Sequence, residues 1–198
     1  MAVHRIIEAN AARYGDAPAI SDQRVTLTYR ELNQRANAVA RRLIIEGFRR
    51  GGLAIVNLPR SADTAVVLLG VLKAGGRYVF VDPQCEGNEW PQGISFAGAS
   101  GDRDACYRHV DVTSTLGPCA RSSANLPIVA RETDVACVIP DGNGTTEILV
   151  PHATIMSLKG RTAPLTAEWS GEAGALDLWA GLVNGATVLL SAPLHSAA

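Results

Sequence analysis

The chain has 198 residues, enough for one ordinary domain or for a piece of a larger one. Its 18 Lys+Arg are balanced by 19 Asp+Glu, and a net charge so near zero argues against nucleic acid or an anionic membrane surface as the main partner. Apolar residues make up 47% and charged residues 19%, which excludes a disordered tail and suits a chain that buries a core.

No apolar run approaches the roughly 20 residues needed to span a bilayer. The start, Met1-Ala2-Val3-His4-Arg5, has no h-region or cleavage site, so a cytoplasmic protein is expected. Cys85, Cys106, Cys119 and Cys137 form no C-x-x-C, and free thiols are the expectation. His4, His109, His152 and His195 lie far apart, without metal-ligand spacing, and are read as structural or solvent-facing.

Residues 4–14 read as a short helix, with Ile7, Ala11 and Tyr14 on one face. Gly15-Asp16-Ala17-Pro18 breaks it, and two short strands, Ala19-Ile20 and Val25-Thr26-Leu27, flank the turn Ser21-Asp22-Gln23. Thr28-Tyr29-Arg30-Glu31 matches a capping box. Behind it Leu32, Ala36, Val39 and Leu43 form one apolar helical stripe that stops at Gly47. Residues 53–58 read as a buried strand. Ser61 or Asp63 caps a helix to Lys73 that is apolar nearly all round, and Gly75-Gly76 separates it from the strand at Tyr78-Val79-Phe80-Val81. This order of continuous apolar strands and helices predicts an α/β fold, a mostly parallel sheet with helices on both faces.

The stretch 84–126 shows no sustained period of 3.6 or 2 and is read as irregular, which counts against normal organisation. Pattern returns with a strand at 135–139. A Gly/Thr loop, Gly142-Asn143-Gly144-Thr145-Thr146, follows it, then a short strand at Ile148-Leu149-Val150 and a short helix at 153–158. An apolar helix at 176–183 ends at Asn184-Gly185 and leads into a strand at 187–190. The chain is thus expected to be a single unit, well patterned over 1–83, degenerate over 84–133 and patterned again over 134–198.

Four blocks give the sequence a family likeness. Leu27-Thr28-Tyr29-Arg30-Glu31-Leu32-Asn33-Gln34-Arg35-Ala36-Asn37 resembles the signature L-T-Y-x-E-L-N-x-x-A-N. Leu72-Lys73-Ala74-Gly75-Gly76-Arg77-Tyr78-Val79-Phe80-Val81-Asp82-Pro83 resembles L-K-A-G-x-A-Y-V-P-L-D-P. Val150-Pro151-His152 resembles the segment after a phosphate loop, and the run from Leu178 through Trp179, Asn184 and Gly185 to Val188 resembles I-W-G-A-L-L-N-G-A-T-L. In this order they resemble the N-terminal part of an adenylate-forming enzyme, the amino-acid adenylation domain of nonribosomal peptide synthetases.

The resemblance implies attack of a substrate carboxylate on ATP, with Mg²⁺, to give an acyl-adenylate that a carrier-protein thiol then takes. The family's phosphate loop, Y-T-S-G-S-T-G-x-P-K-G, falls on the interval that holds Gly142, Asn143, Gly144, Thr145 and Thr146. The closing P-K-G and its lysine are missing there, and Asp141 and Glu147 add carboxylates where an anion should be welcome. The family's F-D-x-S, which meets the substrate amine, falls near Glu172 without its Phe. The later N-x-Y-G-P-T-E and T-G-D segments have no counterpart, and Lys73 and Lys159 belong to other blocks.

The expectation is therefore a truncated, degenerate adenylation-like chain with no catalytic residue of its own, no resident cofactor, and no acyl-adenylate formed alone. The alternative is a non-catalytic module that associates with a synthetase, a carrier protein or a separately encoded remainder of the fold, or that self-associates. An evolutionary remnant, with 84–126 altered by a frameshift, is the third reading.

Overall fold

A computed structural model describes residues 1–81, 83, 93–97, 107–111, 124–127, 130–140, 147–161, 166–167 and 171–190. Helix α1 (Val3–Arg13) buries Val3, Ile6, Ile7 and Ala11. Strands β1 (Pro18–Ser21) and β2 (Thr26–Thr28) form a hairpin turned by Asp22, whose carboxylate accepts from the amides of Arg24 and Val25 at 2.8 Å each. The same side chain accepts from the Ala62 amide at 2.9 Å, tying the turn to the start of another helix.

Helix α2 (Tyr29–Ile45) opens on the expected capping box. Thr28 Oγ1 accepts from the Glu31 amide, and the Glu31 carboxylate accepts from the Thr28 amide at 2.9 Å. Its predicted stripe is buried. The exit is a left-handed Gly47, with the Phe48 amide donating back to the Leu43 carbonyl at 2.8 Å.

Strand β3 (Leu53–Asn57) leads to α3 (Ala62–Lys73), capped by Ser61 and buried at every position except Asp63. Helices α2 and α3 cross closely at Gly70, where an added Cβ would lie 2.6 Å from Val39 Cγ1. Helix α3 ends as α2 does, on a left-handed Gly75, before β4 (Arg77–Val81).

Strands β5 (Gly93–Ala97) and β6 (Tyr107–Val110) lie inside the stretch that reads as aperiodic. Each is short, and Ser95 is buried along with Ile94 and Phe96, so no polar–apolar alternation marks the strand. The remaining elements are β7 (Val135–Pro140), β8 (Glu147–Pro151), α4 (His152–Met156), β9 (Thr166–Ala167), α5 (Gly171–Val183) and β10 (Val188–Leu190).

The α/β class is as expected, but the strands divide into two sheets. One runs β6-β5-β3-β4-β7-β8, with parallel pairs β3–β4 and β4–β7 at its centre and antiparallel strands outside. The other runs β2-β1-β10-β9, where β1 pairs in parallel with β10 through Ile20 opposite Val188. The helices contact one another and both sheets, so they form a layer between them. The first hairpin pairs with β10 in the second sheet, while β3 carries β4 and β5 on its two sides.

Candidate functional site

Strands β3, β4 and β7 run parallel, so their carboxyl ends share one side of the sheet, the side on which α/β folds place ligands. The Gly/Thr loop leaves β7 at that side. Its two ends are fixed by the antiparallel ladder from Val135↔Pro151 to Pro140↔Glu147. Gly142, Asn143, Gly144, Thr145 and Thr146 themselves lie outside the described residues, as does Asp141. Glu147 is exposed at the loop's far end. Glu172 lies in the first turn of α5, and its side chain is outside the description. Cys85, Cys106, Cys119 and His195 also fall outside it.

Several other reactive side chains are committed to the core. Lys73, in the last turn of α3, is 1% exposed and its Nζ donates to Glu8 Oε1 at 2.5 Å. Arg5 holds the other Glu8 oxygen at 2.8 Å. Burial presses the Lys73 ammonium below its ordinary range, and the Glu8 carboxylate opposes that shift. Asn125 Oδ1 accepts from Asn33 at 3.0 Å, from Asn37 at 3.1 Å and from Lys73 at 3.4 Å, fastening 124–126 onto α2 and α3. Lys159 is exposed in the turn after α4.

Cys137 is a free, buried thiol beside Tyr78, and burial pushes it up to about 11, so it is not a thiolate at neutral pH. Trp179 of α5 donates Nε1–H to Tyr78 Oη at 2.7 Å, which seats α5 on β4.

His4 and His152 are both buried, with ring centroids 6.1 Å apart. Burial pushes each down to about 4, so both are neutral at physiological pH. The Val3 amide donates to His152 Nδ1 at 3.3 Å, whereas neither His4 nitrogen has a partner among the described residues. Sequence alone missed this pair because the two imidazoles are 148 positions apart. The Lys73–Glu8 pair had one signal, a single cation closing an otherwise apolar helix.

Among the described residues no group of three or more His, Cys, Asp or Glu is placed to hold a metal ion. No helix among them is long and apolar enough to cross a membrane.

Residues 7–101 match the family model described as AMP-binding enzyme. Over those residues the chain is similar to the AMP-binding enzymes. Bacitracin synthase 1 of Bacillus licheniformis is 28% identical over 208 residues, covering 95% of this chain and 4% of that protein. Among solved structures, the nonribosomal peptide synthetase FmoA3 in its AMPPNP-bound form superposes with a TM-score of 0.78 at 22% identity, over 100% of this chain and 23% of its own. The N-terminal subdomain of Klebsiella oxytoca NpsA in complex with 3-hydroxyanthranilyl-AMSN gives 0.74 at 17% identity, over 97% of this chain and 54% of its own. The chain therefore has the fold of the N-terminal part of a nonribosomal peptide synthetase adenylation domain. It spans a small fraction of the curated synthetases it matches.

Proposed function

We propose that this chain acts as the N-terminal portion of an amino-acid adenylation domain and forms no acyl-adenylate by itself. The observation that carries this reading is the strand–loop–strand unit β7–β8 at the carboxyl side of the parallel strands, in a fold shared with a synthetase solved with AMPPNP. In this reading Gly142, Asn143, Gly144, Thr145 and Thr146 offer backbone amides and hydroxyls to nucleotide phosphates, and Glu172 offers a carboxylate to the substrate amine.

One observation supports inactivity alone. The sequence has two lysines; Lys73 is locked to Glu8, and Lys159 sits in the turn after α4, away from the carboxyl end of β7. Among the described residues no group of three or more His, Cys, Asp or Glu gathers, and no residue is assigned to the Mg²⁺ that the family uses.

Amino-acid-dependent ATP–pyrophosphate exchange tests the proposal. The full chain is expected to show none above a protein-free blank, beside an active adenylation domain as positive control. Exchange that depends on one amino acid and is lost on Thr145→Ala would overturn it.

A second reading, an interaction module for a synthetase, a carrier protein, the separately encoded remainder of the fold or a second copy of this chain, has one observation in its favour. Among the described strands β8 is an edge strand, and it exposes Ile148 and Leu149 on its two faces. Light scattering and pull-down with carrier and synthetase proteins test it; a monodisperse monomer that captures neither sinks it.

A further inference from the structure

The central sheet has a second end, opposite the Gly/Thr loop. There the turns that follow α2 and α3 meet the start of β7 and of α4 around a pocket of about 340 Å³. That volume falls within the range of small-molecule sites and exceeds what a bare inorganic ion fills. The backbone of the rim is already satisfied. The Gly51 amide donates to the Gly75 carbonyl at 2.8 Å, and the Arg77 amide to the Gly52 carbonyl at 2.9 Å. Anything bound in the pocket must therefore be recognised by the side chains that line it, chiefly Arg50, Arg77, Asp134 and His152.

Those side chains have donors to spare. The Arg77 guanidinium makes no hydrogen bond or ion pair with any described residue, and its Nε is buried without a partner. Arg50 gives one Nη to Asp134 Oδ2 at 3.3 Å, and that same oxygen also accepts from the Arg131 amide at 2.9 Å. His152 accepts at Nδ1 from the Val3 amide, which leaves Nε2–H as its one remaining donor. Among the described lining residues two guanidiniums face one carboxylate, and Arg77 is the cation with no described ion-pair partner.

A planar guanidinium whose fork has no partner among the described residues suits an oxyanion held through two parallel N–H bonds. A tetrahedral phosphate presents separate oxygens to three donor groups, whereas a carboxylate presents only two, and Asp134 already fills that role beside Arg50. We propose that this pocket is a phosphate-binding site, in which Arg77 grips the phosphate bidentately and Arg50 and the Nε2–H of His152 close on it. The remaining volume accommodates an organic group, so the ligand class is a small phosphomonoester or free phosphate. This site is independent of the Gly/Thr loop, which leaves the sheet at its other end.

The test is titration of the full chain at low ionic strength, read by calorimetry and by the ¹⁵N shifts of the His152 ring. Inorganic phosphate, glycerol phosphate and malonate serve as separate probes. Saturable binding of at least one phosphate probe is expected, with malonate weaker. Tighter binding of glycerol phosphate than of phosphate assigns the organic pocket, and equal binding assigns free phosphate. Arg77→Gln, with folding checked by circular dichroism, is expected to weaken the binding by about tenfold or more. Arg50→Gln supplies a second variant should the first fail to fold, and Arg24→Gln, at an exposed arginine of the first hairpin turn, is expected to leave binding unchanged. The proposal is overturned by no saturable phosphate binding, by malonate binding as well as phosphate, by folded Arg77→Gln or Arg50→Gln binding like the parent, or by loss of binding on Arg24→Gln.

Discussion

Lys73 Nζ and Glu8 Oε1 meet at 2.5 Å in the helical layer, with side chains 1% and 7% exposed. The pair joins the end of α3 to the middle of α1, and Arg5 and Asn125 complete its coordination. A buried ion pair is weak evidence for net stability, but breaking one side of it strands a charge.

Lys73→Met should therefore destabilise the chain by about 3 kcal/mol, the low end for a broken buried pair because Arg5 still reaches Glu8. Replacing both partners, as Lys73→Met with Glu8→Leu, should recover most of that loss. Urea unfolding of the two variants checks this; equal midpoints would show that the residues are not coupled.

Acid should weaken the fold through His4 and His152. Each has a folded pKa lowered from 6.5 to about 4, so the unfolded chain binds more protons between those values. Their contribution is complete above about pH 6.5 and is lost as pH falls toward 4, on the order of 3 kcal/mol per imidazole at about 1.4 kcal/mol per unit. The lowered carboxylates Asp22, Glu31 and Asp134 act in the same direction but only nearer their ordinary values of 3.8 and 4.5. Denaturation midpoints at pH 7.5 and 5 should differ clearly, and His4→Leu, whose imidazole has no hydrogen-bond partner among the described residues, should flatten that difference.

Thr28→Ala removes the hydroxyl that accepts from the Glu31 amide and should cost about 1 kcal/mol. The change in thermal midpoint measures it. Thr28→Ser, which keeps the acceptor, should stay near the parent.

Gly70→Ala should cost about 1–3 kcal/mol, because the new methyl would sit 2.6 Å from Val39 Cγ1 and 3.2 Å from the Ala36 carbonyl oxygen. Val39→Ala in the same chain should relieve part of the overlap, and a double-mutant cycle in urea measures how much.

These positions also show what the sequence could convey. Thr28, Glu31 and the Leu32–Ala36–Val39–Leu43 stripe interact within one helix, so local spacing is enough to reveal them. Ser61 as a cap and the all-round burial of α3 were legible for the same reason. Strands β5 and β6 were not, because five- and four-residue strands leave too short a record of alternation. The division into two sheets was hidden as well, since it depends on β1 pairing with β10, which lies far along the chain. Lys73 finds Glu8 65 positions away, and the phosphate pocket draws on turns that no single window contains. The candidate nucleotide residues, 142–146, were named by family likeness rather than by any physical pattern of their own.

Ile20 opposite Val188 gives the second sheet a history during synthesis. β1 is made early, yet its parallel neighbour emerges only after most of the chain has been translated. At about 5–20 residues per second that interval is roughly ten to thirty seconds, during which the hairpin presents an unpaired backbone edge on the ribosome. Codon usage that slows translation before residue 188 would prolong this exposure, and chaperone capture of nascent chains should be strongest over that window.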